Sequence, residues 1–291
     1  MGITSTERAR KYFYGEEEAD TYDACMNLTQ PYYALMHDTL NKLLEYHCGV
    51  AVDDSARLQK LAVLDLGSGT GAEALRNLTA FPHSHVVAVD LCPPMNACLR
   101  KNFQARFPKV LFETRCSLIE GDAFGPECGV EQLLAALPRG YGIKGFDAVI
   151  SGFMLHHYTA EEKRNLYRRI IQLLRPAGIF ANVDLFTFES PTVARYADHF
   201  GVNCIERQLT HPERGCEESF AVVEQKVDEL RIKYIRHWKE ENIPLPFERL
   251  SRGSESPNVK SESMILQDVG FRETACPYRF WTAGIATALK P

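Results

Sequence analysis

The sequence predicts an α/β fold with a mostly parallel sheet and helices on both faces. Near-continuous apolar runs alternate with segments of helical periodicity, which is the pattern of a parallel sheet covered on both sides. Two strand-like runs lie close together near the end of the chain and predict a terminal antiparallel hairpin at one sheet edge. The internal strands are expected at 61–66, 86–91, 146–152 and 178–186, and the hairpin in the runs RETACPYRF and TAGIATAL.

Helical segments precede and interrupt this sheet. Over residues 16–47 apolar side chains recur at three- and four-residue spacing, and Pro31 is expected to open a helix, which predicts an N-terminal helical cap. After Ser190 the alternation stops, and 217–242 are predicted as one long amphipathic helix, followed by a polar loop over 251–263. The expected organisation is a cap over 1–60, a core over 61–189, a helical lid insertion over 190–260 and C-terminal strands completing the core sheet over 261–291.

Composition narrows the class of partner. The 291 residues are 45% hydrophobic and 24% charged with a net charge of −5, so the chain has apolar material for a core and no general attraction for phosphates. No apolar run reaches the roughly 18 residues of a membrane span, and no signal peptide is recognisable. The nine cysteines lack a C-x-x-C pair and resemble reduced thiols. We therefore expect a cytoplasmic protein without nucleic-acid or membrane partners; a homodimer stays open.

The strongest motif is VLDLGSGTG at 63–71, where a buried strand runs into three alternate glycines. Such glycines permit a tight turn and the close approach of a ligand to the backbone, and the following helix points N–H groups at that ligand. The spacing is not the G-x-G-x-x-G of dinucleotide sites. Asp65 would repel a pyrophosphate, whereas it suits a cationic ligand.

Two further acidic residues follow expected strand ends. Asp90 ends the run VVAVD, where a carboxylate can accept hydrogen bonds from ribose hydroxyls. Asp122 follows the run CSLIEG, where it can accept from an adenine amino group while Ala123 or Phe124 lies against the ring. Each aspartate alone also suits a turn or a helix cap, so the prediction rests on their order.

The order of DLGSGTG, VAVD, EGDAF, FDAVISGFMLHH and LLRPAGIF resembles the class I S-adenosylmethionine-dependent methyltransferases, which have a Rossmann-like sheet. The flanking segments are similar to small-molecule methyltransferases and carboxy-S-adenosylmethionine synthases. The resemblance implies S-adenosyl-L-methionine as cofactor and S-adenosyl-L-homocysteine as product. It implies that the methionine end of the cofactor contacts Asp65, Gly67 and Gly69, and that the sulfonium lies beside Ser151 and Phe153. The ribose would bind Asp90, and the adenine would lie against Met95, Asp122 and Ala123. Tyr22 would close over the cofactor, and further contacts are expected from Ser68, Gly71, Leu91 and Phe124.

The residues after the fourth strand bear on the reaction. The segment SGFMLHH stands where the family has an Asn/Asp-Pro-Pro-Tyr/Phe signature, and its absence disfavours methylation of an exocyclic base amine or of glutamine. His156 and His157 are candidate catalytic bases, because imidazoles titrate near neutrality; the alternative is that they begin a helix and bond the backbone. No metal site is expected, because no residue set has zinc-ligand spacing.

Four functions remain open, and the weakest is an RNA methyltransferase, which the acidic net charge and the lack of a basic arm oppose. The first is O-, N- or S-methylation of a small-molecule substrate. The second is modification of S-adenosylmethionine itself, which requires a cation such as Arg195 or Arg279 beside the methyl group. The third is a non-catalytic S-adenosylmethionine-binding protein, because a fold can keep its pocket after it loses activity.

Overall fold

A computed structural model describes residues 15–30, 32–49, 60–123, 125, 128–141, 145–212, 216–232, 235, 258–280 and 282–291. Their centre is a seven-stranded sheet in the order β3-β2-β1-β4-β5-β7-β6. The first five strands are parallel, and β7 pairs antiparallel with both β5 and β6. The strands are β1 (Ala62–Leu66), β2 (His85–Asp90), β3 (Cys116–Glu120), β4 (Phe146–Gly152), β5 (Leu174–Leu185), β6 (Arg272–Phe280) and β7 (Ala283–Leu289).

This sheet confirms the predicted fold class. The apolar runs form strands because they are buried on both faces, and the two clusters of core side chains lie on opposite sides of them. The terminal hairpin is present, with β6 at the edge. β5 begins earlier than predicted, at Leu174, because the backbone there already pairs with Phe146.

The helices cover both faces of the sheet. Between the strands lie α3 (Ala72–Ala80), α4 (Pro93–Arg106), α5 (Phe112–Arg115), α6 (Val130–Ala135) and α7 (Ala160–Leu173), with a 3-10 turn at Leu155–His157 after β4. The Thr159 hydroxyl caps α7 by accepting from the Glu162 amide at 3.3 Å. In return, the Glu162 carboxylate accepts from the Thr159 amide.

The predicted N-terminal cap consists of two helices, α1 (Glu16–Thr29) and α2 (Tyr33–His47). Helix α2 buries Met36, Leu40 and Leu44 against the core cluster that contains the β1 and β4 side chains. Pro31, expected to open a helix, lies outside the described residues. The cap therefore packs over the sheet face next to the carboxyl ends of the strands.

The insertion is helical but differs from the prediction. Its longest described helix is α8 (Pro191–Thr210), which Ser190 caps by accepting from the Val193 amide. The prediction of one long helix is wrong over the described residues 216–232, where α9 (Glu217–Val223) and α10 (Val227–Arg231) flank a 3-10 turn. Val223, Val227 and Leu230 keep helical spacing across this turn and face one core, so periodicity does not reveal the break.

A buried ion pair joins the C-terminal helix α11 (Val259–Asp268) to α7. Lys163 Nζ lies 3.1 Å from Glu262 Oε2, both side chains are almost fully buried, and the Tyr167 hydroxyl donates to the same carboxylate. The predicted loop over 251–263 is thus wrong from Val259 onward, because Asn258 begins a helix by accepting from the Ser261 amide. No helix among the described residues is long and apolar enough to cross a membrane.

Candidate functional site

A cleft of about 930 Å³, counted to its open mouth, lies at the carboxyl ends of β1, β2 and β4 beneath the cap. The cleft lies where the strand order reverses between β1 and β4, which is where open α/β sheets bind ligands. Its walls come from the glycine loop, the strand ends, the 3-10 turn after β4, and helices α1 and α2.

The structure brings most of the predicted site residues to this cleft. Asp65, Gly71, Ser151 and His156 are not on its walls, and Phe124 lies outside the described residues. The predicted residues that line it are Tyr22, Gly67, Ser68, Gly69, Asp90, Leu91, Met95, Asp122, Ala123, Phe153 and His157.

The three glycines of the loop occupy different environments, although each has a positive φ. The Gly67 and Ser68 amides donate to the Val89 carbonyl at 2.8 and 3.0 Å, which ties the loop to β2. A Cβ on Gly69 has open space, with its nearest neighbour at 4.0 Å. A Cβ on Gly71 would lie 2.3 Å from Leu99 Cδ1 on α4, so Gly71 permits helix packing instead of ligand contact.

Asp90 connects the loop to the end of β2. Its Oδ2 accepts from the Gly69 amide and its Oδ1 from the Cys92 amide, each at 2.8 Å. Burial raises the pKa of the Asp90 carboxyl, and these backbone N–H groups oppose that rise. The carboxylate therefore braces the glycine loop and also forms part of the cleft wall.

Asp65 lies behind the loop and not on the cleft wall. Its side chain is fully buried, and burial, then the nearby Glu73 and Asp90 carboxylates, raise its pKa well above the ordinary value. Any effect of Asp65 on a ligand in the cleft therefore passes through the glycine loop and the neighbouring side chains. Ser151 is likewise turned inward, because its hydroxyl donates to the Leu66 carbonyl at 2.9 Å.

The cap contributes site residues that the sequence did not reveal. Thr70 of the loop donates from its hydroxyl to both carboxylate oxygens of Asp23 on α1, at 2.9 and 2.8 Å. The Tyr33 hydroxyl donates to the same carboxylate at 3.2 Å. Burial raises the pKa of Tyr33 well above its ordinary value, so it stays a neutral donor.

A second missed group is an ion pair on the cleft wall. His37 Nδ1 on α2 lies 2.6 Å from Glu73 Oε1 on α3, and both side chains are almost fully buried. The signals were weak, because His37 continues the spacing of an amphipathic helix and Glu73 looks like an acidic residue in a first helical turn. Other wall residues missed from the sequence are Thr70, Ala72, Val89, Cys92, Gly121, Gly152, Met154 and Tyr158.

The two candidate bases follow β4 in the 3-10 turn, with ring centroids 4.0 Å apart. His156 Nδ1 lies 2.5 Å from Asp184 Oδ1 on β5, so the alternative that it merely bonds the backbone does not describe it. Asn182 donates to the other oxygen of Asp184 at 3.2 Å. His157 is on the cleft wall, and burial, then the neighbouring His156, lower its pKa well below the ordinary value.

The described cleft wall carries no lysine or arginine. Its charged side chains are the carboxylates of Glu73, Asp90 and Asp122, with His37 and His157 as the titratable bases. Arg279, a candidate cation, instead donates to the carbonyls of Phe186 and Thr187 at 3.3 and 2.9 Å. The wall is thus acidic, which suits a cationic ligand.

The strand order, the glycine loop and the carboxylate at the end of β2 form a Rossmann-like ligand site at the point where the strand order reverses. Residues 63–178 match the family model described as a methyltransferase domain. Residues 63–178 are therefore similar in sequence to a methyltransferase domain.

Three known proteins give the extent of the similarity. A demethylmenaquinone methyltransferase from Thermus thermophilus is 33% identical over 149 residues, which are 49% of this chain and 57% of that protein. The structure of a possible exported protein from Bordetella parapertussis has a TM-score of 0.51 at 15% identity, over 88% of this chain and 67% of that one. Human N-acetylserotonin methyltransferase with S-adenosylmethionine has a TM-score of 0.43 at 14% identity, over 98% of this chain and 65% of that one. The chain spans little more than half the length of the curated relative that it matches.

Proposed function

We propose that the protein transfers a methyl group from S-adenosylmethionine to an oxygen, nitrogen or sulfur atom of a small molecule. The observation that carries this proposal is the acidic cleft of the methyltransferase domain, which combines the glycine loop, Asp90 and Asp122 at the point of strand-order reversal. We further propose a cytoplasmic setting, with which nine free cysteines agree.

The wall residues suggest how the cofactor lies. Asp122, Ala123 and Met95 hold the adenine, and Asp90 accepts from the ribose hydroxyls. The amino-acid end extends along the glycine loop toward Gly152, and the sulfonium lies beside Phe153. Cationic sulfur and ammonium groups thereby enter a cleft whose wall carries three carboxylates, which favours the charged cofactor.

The chemistry follows from this placement. An acceptor lone pair attacks the methyl carbon, the carbon–sulfur bond breaks, and its electron pair leaves on the sulfur of S-adenosylhomocysteine. The protein contributes alignment and exclusion of water. A base is required only where the acceptor atom carries a proton.

His157 is the better placed of the two candidate bases. It lines the cleft, and its lowered pKa keeps it unprotonated at neutral pH, ready to accept a proton. His156, held by Asp184, supports the neighbouring ring. His157→Ala is expected to reduce kcat for a hydroxyl acceptor by about 10²–10⁴-fold and to change the pH profile of turnover. If His157 only packs against its neighbours, the variant will keep the wild-type pH profile.

The two alternative functions have distinct requirements. Modification of the cofactor itself needs a cation beside the methyl group to hold a carboxylate, and the described wall offers neither Arg195 nor Arg279 there. A non-catalytic protein would bind the cofactor without turnover. The structure favours neither over methyl transfer.

Mass spectrometry of ligands carried through purification, followed by methyl-labelled turnover, tests the proposal. The acceptor panel includes phenols, thiols and amines for the three proposed acceptor atoms, and quinols because the bacterial relative is named for a demethylmenaquinone. Label transferred to any member with release of S-adenosylhomocysteine supports the proposal. A carboxylated cofactor in the purified protein would favour the second function, and failure to bind the cofactor would overturn the proposal.

A further inference from the structure

The His37–Glu73 pair is a buried charged couple on the wall of the cleft. Nδ1 of His37 lies 2.6 Å from Oε1 of Glu73, with 2% and 5% of the two side chains exposed. The rings of Tyr33 and Phe153 pack edge-on against the imidazole, at centroid distances of 4.3 and 5.6 Å. The couple is therefore rigidly held where helices α2 and α3 meet the end of β4.

The couple is left incompletely satisfied. His37 Nε2 is buried and makes no hydrogen bond to any residue that the structure describes. The Glu73 carboxylate lies against the Gly152 backbone, so close that a Cβ on Gly152 would collide with it. A buried polar atom without a partner is costly, and one on a cleft wall obtains its partner from the ligand or from water.

The other carboxylate near this end of the cleft is Asp65, and it is poorly suited to meet a cation. It lies behind the glycine loop and away from the wall. The raised pKa of Asp65 favours its uncharged acid. Burial also tends to raise the pKa of Glu73, but the charge and the hydrogen bond of His37 outweigh this effect, so the pKa of Glu73 is lowered. Glu73 is the anionic member of the two.

We propose that Glu73, and not Asp65, receives the α-ammonium group of the bound cofactor, and that His37 gives up its proton when this cation arrives. The inference rests on the proposed function. In the empty cleft the imidazolium balances the Glu73 carboxylate. In the loaded cleft the ammonium takes over that balance, one N–H bond of the imidazolium breaks, and the proton leaves to solvent. The couple together with the bound ammonium is then neutral, as the couple alone is in the empty cleft, and one positive charge has passed to the solvent.

The surrounding groups fit this exchange. Arg76, one turn along α3, is engaged by Asp38 at 2.6 Å and stays outside the cleft. A second positive charge beside Glu73 would make two cations share one carboxylate, which disfavours the protonated imidazole. The charged and titratable groups next to the couple are Asp65 from β1, Arg76 from α3 and Tyr33 from α2. Behind them, Asp90 from β2 acts on Asp65, and Asp23 from α1 acts on Tyr33.

Titration calorimetry in buffers of different ionisation enthalpy measures the released proton directly. S-adenosylmethionine is titrated into the full chain in phosphate and in Tris between pH 6 and 8, the range in which imidazoles titrate. The expected result is release of up to about one proton per cofactor bound. 5′-Methylthioadenosine, which has the same nucleoside and no amino-acid chain, should bind without that release.

Glu73→Gln should abolish the proton release and weaken S-adenosylmethionine about tenfold or more, through loss of a charged hydrogen bond. Glu262→Gln is the matched control, because it neutralises an equally buried carboxylate on the other side of the sheet and should leave affinity and release unchanged. His37→Gln, which keeps a polar side chain without a titrating proton, should also bind without release. Circular dichroism melting confirms that each variant is folded.

Three results would overturn the inference: binding by the wild type without proton release, equal release by 5′-methylthioadenosine, or full affinity in the folded Glu73→Gln variant. Variants that bind normally but change the pH profile of turnover would assign His37 to the acceptor instead. Failure of the wild type to bind S-adenosylmethionine at all would contradict the proposed function, a different outcome.

Discussion

At the scale of single residues, the glycine loop shows why one motif contains unlike positions. Gly69 faces open space in the cleft, whereas Gly71 lies where a side chain would enter α4. Both have positive φ, at 51° and 91°, so any substitution pays for backbone strain. Only Gly71 adds a steric collision.

Gly71→Ala is therefore expected to destabilise the protein by about 2–4 kcal/mol, from backbone strain and overpacking against Leu99. Gly69→Ala is the matched control, expected to cost about 1 kcal/mol because it carries the strain alone. Urea unfolding of both variants measures the difference. Equal losses would show that contact with Leu99 does not set the requirement for glycine at position 71.

Asp65 gives a prediction for pH. Its folded-state pKa is raised, so the folded protein holds this proton more tightly than the unfolded chain, and its contribution to stability is lost as pH rises through the folded pKa. Asp65→Asn keeps the shape without ionising. The free energy of unfolding should thus fall less steeply from pH 5 to 8 in Asp65→Asn than in the wild type, while the raised pKa of Asp90 leaves some slope in both.

The control for this experiment is Asp228→Asn, at a carboxylate that is 92% exposed. It should follow the wild-type pH dependence in the same urea titrations. If the unfolding free energy of Asp65→Asn falls with pH as steeply as that of the wild type, Asp65 is ionised in the folded protein. Its protonation would then not explain why Glu73 is the anionic residue.

The residues after the parallel strands were predictable because strand ends converge at one sheet edge. Asp90, Asp122 and Phe153 reach the cleft in this way. His37 and Glu73 were not predictable, because they belong to helices whose periodicity only specifies a buried face and does not show what that face meets. The inward direction of Asp65 depends on the packing of α3, which no local pattern encodes.

At the scale of elements, helix α1 is attached to the glycine loop by the Asp23–Thr70 hydrogen bonds. This contact joins the cap to the wall of the cleft across 47 positions of sequence. The same helix packs Leu28 against Val202 and Ile205 of α8, so cap and insertion share a core. One helix therefore contacts both the glycine loop and the insertion.

A double-mutant cycle with Asp23→Ala and Thr70→Val should give a coupling of about 1–2 kcal/mol in unfolding free energy, because a partly buried hydrogen bond to a carboxylate is removed. The cycle of Asp23→Ala with Thr39→Val is the control. The Thr39 hydroxyl donates to the Leu35 carbonyl of its own helix, so no coupling is expected. Coupling below about 0.5 kcal/mol for the first pair would mean that the cap is not anchored at this point.

Strands were easier to predict than the insertion. β1, β2, β4 and the β6–β7 hairpin are specified by apolar content and by turn residues close to them in sequence. The break between α9 and α10 is invisible to periodicity, because a 3-10 turn carries the apolar face onward. α8 was missed since its apolar positions alternate with exposed Val193 and Tyr196, which obscures its buried face.

At the scale of the whole molecule, the order of the strands decides where the site forms. The reversal between β1 and β4 opens a crevice at the carboxyl edge, and the cap covers it from one side. The three carboxylates of the wall thereby come from α3, from the end of β2 and from the loop after β3. The central claim is that this wall binds S-adenosylmethionine.

Isothermal titration of S-adenosylmethionine into the wild type and into Asp90→Ala tests this claim most directly. We expect one site per chain with micromolar affinity, about −8 kcal/mol, and a loss of about 1–3 kcal/mol in Asp90→Ala, because the ribose loses its acceptor and the glycine loop loses its brace. No binding by the wild type, or equal affinity in a folded Asp90→Ala variant, would contradict the account.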